Sequence, residues 1–516
     1  MSKTQGREVT DDVVMASQRA KEAFYTNLTG TTPFEISLAV AIGPASELLR
    51  WTLIPILVML FGGVVKNKWL GFVLDFITLV IPLLLAFTVW SDFLQRFLVV
   101  LLVTSATLLL AAYLLQPMKA QRVKRPSKAK TVAASRPLWE LPMESEQPLF
   151  MTMFRVHGMV ASAIAILAVD FPVFPRRFGK TETYGTGMMD VAVGAFMFMN
   201  AIVSKEARGK HQNIFSCGIS GAVKSLTKTV VSALPLFLLG TVRLISVKTS
   251  GYHEHVSEYG VHWNFFFTLA VVIVGSSACL LFIPTSLSVP LSLALAVGYQ
   301  HLLTNHGLGQ FVLTGSDGRG SREGLLDANR EGLVSCLGYV AIYFAGVCAG
   351  KFLLIRRTLF FDWWLAFLLL NVVNVLLWIL LEATSVYIEP VCRRTANLPY
   401  IIWTLSFCIQ LLVSYMLVDI VLALGKEFIW KSPYKLSANK VAKHPLLPDS
   451  ILVSALRPNL LLIFLLCNLL TGVVNMSMDT VSQPTPVSMS VLVLYMLGLC
   501  LIAIGLHVKG MKLKFW

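Results

Sequence analysis

The sequence predicts an all-α integral membrane protein with about thirteen transmembrane helices. Hydrophobic residues make up 56% of the 516 residues and charged residues only 14%, whereas soluble domains contain roughly 45–50% and about 25%. The mean hydropathy is +0.71, which leaves too little polar side chain to cover a water-soluble surface. These values exclude soluble, disordered and disulfide-rich chains, and they predict a polytopic membrane protein.

Thirteen apolar segments reach the length of roughly 20 residues that a helix needs to cross the hydrocarbon core. The seventh and eighth are separated only around Pro284. The first contains Glu47 and Arg50, so it is expected to be kinked or partly buried within the bundle. In chain order the predicted spans are 35–63, 70–91, 93–116, 150–170, 188–204, 224–247, 261–282, 284–303, 332–350, 360–383, 397–424, 451–474 and 487–508.

Basic residues divide the loops between two sides of the membrane. Loop 117–149 is rich in Lys, Arg, Ser, Ala and Pro and has no apolar periodicity, so it is predicted to be a flexible basic loop in the cytosol. With thirteen spans most Lys/Arg clusters fall on that side, the N-terminus is lumenal, and the C-terminus is cytosolic. The net charge of +15 is therefore attributed to membrane topology, and no nucleic-acid binding is expected. The predicted units are a lumenal segment 1–34, a single transmembrane domain 35–508 and a cytosolic tail 509–516.

The C-terminal tail carries Lys512 and Lys514 in a K-x-K-x-x pattern. This pattern resembles the dilysine retrieval signals of endoplasmic reticulum proteins, which are read by a receptor. Lysines that merely set topology are an equally good interpretation. The first 33 residues contain no apolar run, so no cleavable signal peptide is expected.

The densest group of polar residues joins the fourth and fifth predicted spans, from Asp170 to Asp190. Pro172 and Pro175 exclude helix from this segment and favour extended backbone. The adjacent Arg176 and Arg177, followed by Lys180 and Glu182, suit a lipid phosphate, because guanidinium groups bind phosphate in bidentate fashion. An interfacial anchor, with arginines reaching the headgroups, is an equally good interpretation from the residues alone.

Polar residues also recur within other predicted spans. Asn468, Asn475 and Asp479 fall on one face of the twelfth span, and Asn329 and Glu331 precede the ninth. Ionisable groups near lipid usually face a bundle interior or a cavity. Hydrogen bonds between helices are the alternative for the asparagines, and close helix packing is expected at Gly338, Gly346 and Gly350.

No signature of metal binding or of a covalent nucleophile accompanies these residues. The eight cysteines form no CxxC pair, and neither a phosphate-binding glycine loop nor a serine nucleophile elbow occurs. We therefore expect no metal and no cofactor. His157 is interpreted as a core histidine, and His301 lies at a predicted lumenal boundary. A histidine-dependent membrane O-acyltransferase, with His157 or His301 as its base, is one alternative function.

Five blocks of the sequence together resemble the GPI-inositol acyltransferase family, the phosphatidylinositol-glycan class W type that includes the fungal wall-protein transfer enzyme. The blocks occur in the family's order and span nearly the whole chain. Loops 117–149 and 205–222 and the Gly/Ser-rich insert 314–322 do not contribute to the resemblance. The blocks are 21–36, 170–200, 327–339, 393–398, and 468–475 with Asp479.

The resemblance implies transfer of a long-chain acyl group from acyl-CoA to the inositol ring of glucosaminyl-phosphatidylinositol. Palmitoyl-CoA is the expected co-substrate, and the other partner is membrane lipid. The resemblance also implies an endoplasmic reticulum membrane protein with a lumenal site in a bundle of about thirteen helices. The Asp and Lys of the family motif D-F-P-x-F-P-R-R-F-x-K are its catalytic pair, and they correspond to Asp170 and Lys180.

Acyl transfer to a hydroxyl fits these two residues chemically. Asp170 can accept the hydroxyl proton while Lys180 faces the developing negative charge, and the reverse assignment, with neutral Lys180 as base, stays open. Arg176 and Arg177 are predicted to hold the substrate phosphodiester or the CoA phosphates. The acidic neighbour of the glucosamine amine is predicted among Glu331, Asp190 and Asp479, and Glu182, Asn329, Asn468 and Asn475 complete the predicted substrate-binding set.

A secondary transporter of a lipid or small solute is the main alternative function. Such a protein would carry ionisable residues near the middle of the membrane and would commonly show internal repeats. The charged residues found here lie mostly at span ends, and no repeat is visible. The sequence therefore favours the acyltransferase.

Overall fold

The computed structural model describes residues 26, 28–61, 67–114, 137–140, 149–211, 213–250, 256–428 and 450–513. Most of the predicted segment 1–34, most of loop 117–149, and Lys514 lie outside these residues. Within them the regular structure is helical, apart from one bridge between Gly30 and Thr186. The prediction of an all-α polytopic membrane protein is confirmed.

Thirteen helices in the described residues coincide with the thirteen predicted spans. Twelve of them are long and apolar enough to cross a membrane. In chain order the helices are α1 (Pro33–Phe61), α2 (Lys68–Ala86), α3 (Ser91–Leu114), α4 (Leu149–Ala168), α5 (Met188–Ala201), α6 (Ile214–Ser250), α7 (Phe265–Phe282), α8 (Ser288–Asn305), α9 (Arg330–Leu353), α10 (Phe360–Tyr387), α11 (Leu398–Phe428), α12 (Ile451–Ser477) and α13 (Thr485–Val508).

The fifth predicted span is shorter than expected. Helix α5 has 14 residues and a length of about 21 Å, less than a hydrocarbon core of about 30 Å. A Cβ atom at Gly346 of α9 would meet the Cβ of Ala201 at the end of α5, so α5 lies beside the second half of α9. The end of α5 therefore packs against the second half of α9, and Ile202 directly after it contacts the position of Gly350.

Contacts at the helix ends define two ends of the bundle. At one end, here called the Asp170 end, the amide of Thr31 donates to Thr186 O (2.7 Å) and Asn475 contacts Asp170. At the opposite end, Lys351 Nζ donates to Thr285 Oγ1 (3.1 Å). Helix α1 therefore begins and α12 ends at the Asp170 end, whereas α9 ends beside the segment before α8 at the opposite end.

Glycines permit the close packing of α9 that the sequence predicted. A Cβ at Gly338 would lie 2.3 Å from Ala396 O, and one at Gly350 would lie 2.4 Å from Ile202 O. No side chain larger than hydrogen fits at either position, because the contacting atoms are backbone. These contacts hold α9 against the turn before α11 and against the end of α5.

The polar residues of the first span are buried within the bundle, as expected. Arg50 Nε donates to Asp75 Oδ1 on α2 (2.5 Å), and Asp75 Oδ2 accepts from Ser450 Oγ (2.7 Å) and the amide of Leu452 (3.1 Å) at the start of α12. This buried carboxylate therefore connects α1, α2 and α12.

The orientation of the bundle can be measured by labelling. Lys210 is exposed at the end opposite Asp170, and Tyr184 is exposed at the Asp170 end. With exposed Cys279 replaced by serine, Lys210→Cys should react with an impermeant maleimide in sealed, right-side-out microsomes. Tyr184→Cys should react only after permeabilisation. The reverse pattern would place the Asp170 end in the cytosol.

Candidate active site

The segment between α4 and α5 is a compact turn anchored by aromatic side chains. Phe171, Phe174 and Phe178 are fully buried. Arg176 Nη2 donates to the carbonyl oxygens of Val169 (2.8 Å), Phe171 (3.3 Å) and Phe174 (3.2 Å). A guanidinium at a helix C-terminus satisfies carbonyl groups that have no partner within the helix. Arg176 therefore holds the turn in which Asp170 lies.

Arg177 joins the same turn to two other helices. Its Nε donates to Glu35 Oε1 on α1 (2.9 Å) and its Nη2 to Asp92 Oδ1 on α3 (2.6 Å). Partial burial lowers the pKa of Arg177, but hydrogen bonds to Asp92 and Glu35 outweigh this and raise it above the ordinary value. A surface cavity of about 400 Å³ lies against both carboxylates. Arg177 is thus beside a cavity that opens at the Asp170 end.

Asp170 is buried and held by a residue of α12. Only 7% of its surface is exposed, and its Oδ2 accepts a hydrogen bond from Asn475 Nδ2 (2.7 Å). Thr480 Oγ1 donates to Asn475 Oδ1 (3.3 Å), which orients the amide so that its NH2 group faces the carboxylate. Asn475, predicted to bind substrate, therefore contacts Asp170, one of the predicted catalytic pair.

Lys180 forms an ion pair with Glu258, a residue that the sequence analysis did not select. Glu258 lies in the turn before α7 and its side chain is 17% exposed, against 42% for Lys180. Burial raises the pKa of Glu258, but the charges of Lys180 and Arg393 dominate and lower it to about 2. Glu258 is therefore ionised at neutral pH. Its loop was predicted on the Asp170 side, but no spacing in the sequence connects it to Lys180.

Asp190 is fully buried, and both of its oxygens accept hydrogen bonds. Oδ2 accepts from the amide (3.0 Å) and hydroxyl (2.9 Å) of Thr181 and from the amide of Gly187 (2.9 Å). Oδ1 accepts from Arg393 Nε (2.8 Å). The carboxylate thus closes the loop that carries Lys180 and ties it to the segment before α11.

Glu331 and Asn329 are also buried and bound to other parts of the chain. Arg322 donates to Oε1 (2.7 Å) and Oε2 (3.0 Å) of Glu331, and Arg394 donates to Oε1 (3.1 Å). The amide of His262 donates to Asn329 Oδ1 (2.7 Å). Arg322 belongs to the Gly/Ser-rich insert, which therefore contributes directly to this cluster.

The other predicted site residues are exposed and have local contacts. Glu182 lies at the surface. Asn468 Nδ2 donates to Phe464 O in its own helix (2.7 Å), and Asp479 Oδ2 accepts from Ser482 Oγ (2.9 Å). These contacts do not bring the three side chains to Asp170 or Lys180.

The two histidines of the alternative acyltransferase mechanism have different surroundings. His157 is buried in α4 and stacks on Tyr415 of α11 at 5.3 Å between ring centroids. His301 Nδ1 lies 2.8 Å from Asn305 Nδ2 at the end of α8. These contacts are typical of packing and of a local hydrogen bond, and they do not join a histidine to Asp170.

Comparison with known proteins identifies the family. The GWT1 family model matches residues 17–506. The chain belongs to the GWT1 family. The bovine glucosaminyl-phosphatidylinositol-acyltransferase PIGW is 38% identical to it, over 97% of this chain and all of the relative, and the human protein of that name is 36% identical over the same shares. GPI-anchored wall transfer protein 1 of Aspergillus oryzae is 33% identical, over 96% of this chain and 98% of the relative.

Membership in the GWT1 family confirms the resemblance drawn from the sequence. Relatives named as acyltransferases match along their whole length, and they identify the chain as a membrane acyltransferase of GPI-anchor biosynthesis. The match includes Asp170, Lys180 and Glu258. The site described above therefore lies within the shared region.

Proposed function

We propose that this GWT1-family protein transfers a long-chain acyl group, with palmitoyl-CoA as the expected donor, from acyl-CoA to an inositol hydroxyl of glucosaminyl-phosphatidylinositol. The proposal places it in the endoplasmic reticulum membrane with the Asp170 end facing the lumen. The observation that carries the proposal is the loop in which buried Asp170, held by Asn475, is followed by Lys180, held by Glu258. The full-length relatives named for action on this lipid support the choice of acceptor.

In the proposed reaction Asp170 acts as the general base. Its carboxylate takes the proton of the inositol hydroxyl while the hydroxyl oxygen attacks the thioester carbonyl carbon. The carbon–sulfur bond then breaks, and the proton passes from Asp170 to the departing CoA sulfur. Direct transfer of this kind uses no acyl-enzyme and needs no cofactor besides the co-substrate.

Lys180 is proposed to stabilise the negative charge that develops on the thioester oxygen. A fixed positive charge aimed at a developing oxyanion is among the strongest catalytic effects in a partly desolvated site. The carboxylate of Glu258 forms an ion pair with Lys180 and fixes the position of its side chain. This contact supports the role of stabiliser over that of neutral base.

Arg177 and the neighbouring cavity are the proposed position of the acceptor headgroup. The cavity combines apolar side chains, including Phe34 and Phe93, with the carboxylates of Glu35 and Asp92. An amphipathic lipid with an amino sugar matches such a lining, because its ammonium can approach the carboxylates. Asp190 and Glu331, which were first considered for this role together with Asp479, are fully buried, whereas the side chains of Glu35 and Asp92 are 25% and 70% exposed.

The direct test is transfer by the purified full-length protein. The chain is incubated with radiolabelled palmitoyl-CoA and glucosaminyl-phosphatidylinositol, and the acylated lipid is separated and identified. We expect label in a product acylated on the inositol ring. Label transferred to another lipid, or no transfer under conditions where the human relative is active, would contradict the proposal.

The role of Glu258 predicts a change in both rate and stability. Glu258→Gln leaves the half-exposed Lys180 without its ion pair. A misplaced catalytic group lowers the reaction rate by about 10²-fold. We therefore expect kcat to fall about tenfold to hundredfold, with little change in KM. Lys180→Arg keeps the charge but cannot act as a base; substantial activity in it supports electrostatic stabilisation. Glu323→Gln is the control, because it removes an exposed carboxylate in the loop before α9.

The lowered pKa of Glu258 gives a second measurement with a defined sign. A carboxylate whose pKa is lowered in the folded state stabilises the fold. This stabilisation is complete at pH values above the ordinary pKa of 4.5, and it is lost as the pH falls toward about 2. The thermal midpoint of the wild type should therefore exceed that of Glu258→Gln near neutral pH, and the difference should shrink across this window. A difference that does not change with pH would show that the ion pair does not control the stability.

A further inference from the structure

The cavity beside Arg177 contains charged side chains of both signs. It measures about 400 Å³ and lies between the first turns of α1 and α3, a volume that is typical of a small-molecule site. Glu35 and Asp92 contribute the carboxylates of the lining, and Arg96 contributes a guanidinium group. A ligand that carries only one sign of charge would leave part of this lining without a partner.

Arg96 is the cation of the cavity whose hydrogen-bond donors stay available. Its side chain is exposed, and its guanidinium carbon lies 5.7 Å from the centre of the Phe93 ring. Asp92 lies one turn before Arg96, but its Oδ1 accepts from Arg177 Nη2 (2.6 Å), and within the described part of the chain no carboxylate forms an ion pair with Arg96. Arginine has five N–H donors, so Arg96 can bind an anion in the cavity.

Asp92 supplies the accessible negative charge. Its side chain is 70% exposed. A carboxylate offers about four acceptor positions, so Asp92 can bind Arg177 through Oδ1 and a further cation through Oδ2. Glu35 is less exposed, and both of its oxygens already accept hydrogen bonds, from Arg177 Nε and from the hydroxyl of Thr31. Asp92 is therefore the carboxylate that a ligand in the cavity can reach.

The cavity lies where lipid headgroups can enter it. Helix α1 begins at Pro33 and α3 at Ser91, so the cavity is at the ends of two membrane-crossing helices. Trp90, directly before α3, is exposed, as are Phe34 and Phe93 of the lining. Exposed tryptophan is typical of the membrane–water interface. The expected ligand is thus the headgroup of a lipid.

We propose that Arg96 and Asp92 determine the specificity for the acceptor lipid, with Arg96 binding its phosphodiester and Asp92 the ammonium group of its amino sugar. A guanidinium group binds phosphate oxygens through a planar fork, and the carboxylate neutralises the ammonium. A lipid with the phosphate but with an acetylated amine satisfies only Arg96. The assignment rests on the proposed function. Phosphatidylethanolamine carries the same two charges, so the test separates it from the acceptor.

The test measures recognition of the acceptor by Arg96→Gln and Asp92→Asn. KM and kcat of the purified full-length protein are determined with glucosaminyl-phosphatidylinositol and with its N-acetylated form. Arg319→Gln and Glu323→Gln are the matched controls, since each removes an exposed charge of the same sign in the segment between α8 and α9. A second arm needs no transfer: the thermal midpoint is measured in phosphatidylcholine nanodiscs with and without the acceptor or phosphatidylethanolamine.

Arg96→Gln should raise the KM for the acceptor by about tenfold or more, because a hydrogen-bonded charge is lost, while kcat and the KM for palmitoyl-CoA stay unchanged. Asp92→Asn should reduce the preference for the free amine over the N-acetylated form by about tenfold. A merely structural role would not change this ratio. Both controls should behave as the wild type does.

Two results would overturn the proposal. One is a KM for the acceptor that neither Arg96→Gln nor Asp92→Asn changes. The other is stabilisation by phosphatidylethanolamine that exceeds stabilisation by the acceptor and is lost in Arg96→Gln, since the cavity would then belong to a lipid of the bulk membrane. Stabilisation by the acceptor that depends on Arg96, in a protein that transfers no acyl group, would support the site and contradict only the proposed function.

Discussion

Asp170→Asn should reduce the rate of inositol acylation by about 10²–10⁴-fold, because proton transfer by a positioned base contributes that much. Asparagine keeps the shape of the side chain, and its carbonyl oxygen can still accept the hydrogen bond from Asn475. The protein should therefore insert and fold normally, and KM for both substrates should change little. The measurement is steady-state acyl transfer in microsomes that lack endogenous activity, with expression and thermal midpoint recorded for each variant.

Glu323→Gln is the control for Asp170→Asn, since it makes the same carboxylate-to-amide change at an exposed position in the loop before α9. Asn475→Ala tests the positioning of the base: we expect a smaller loss in kcat, about tenfold, because Asp170 remains but is no longer oriented. Acyl transfer by Asp170→Asn at a rate near that of the wild type would show that a different group removes the proton.

Asp190→Ala should destabilise the protein by about 3–5 kcal/mol, since removing one partner of a buried ion pair leaves the other charge uncompensated. The carboxylate also accepts three hydrogen bonds from Thr181 and Gly187, so the loop that carries Lys180 loses its closure. We expect a lower thermal midpoint and reduced expression, with activity lost in proportion to folded protein. The measurement is the thermal midpoint in detergent together with transfer per folded molecule.

A double variant separates this structural role from a direct part in the reaction. Asp190→Asn combined with Arg393→Gln replaces both charges, and the cost should be less than the sum of the two single changes, since the partners interact directly. A variant at Asp190 with an unchanged thermal midpoint and no acyl transfer would place this carboxylate at the reacting atoms instead.

Much of the fold could be predicted from local composition. Each span was found because an apolar helix in lipid satisfies its own backbone hydrogen bonds and needs only sufficient length. Helix α5 departs from that rule: it has 14 residues and packs beside the second half of α9. The residue at which a helix ends depends on tertiary packing, which the length of an apolar segment does not describe.

By itself the sequence determined the class of protein, the positions of the spans and the segment that carries Asp170 and Lys180. These features follow from the lengths of the apolar segments and from a motif of neighbouring residues, and both are visible in the sequence itself. Only the tertiary structure decided which partners hold those two side chains. Asn475 is 305 residues from Asp170 in the chain, and Glu258 lies in a separate loop from Lys180. It also decided that Asp190 is held by Arg393, Thr181 and Gly187 and Glu331 by Arg322 and Arg394, because hydrogen-bond satisfaction of a buried carboxylate depends on groups brought together by folding.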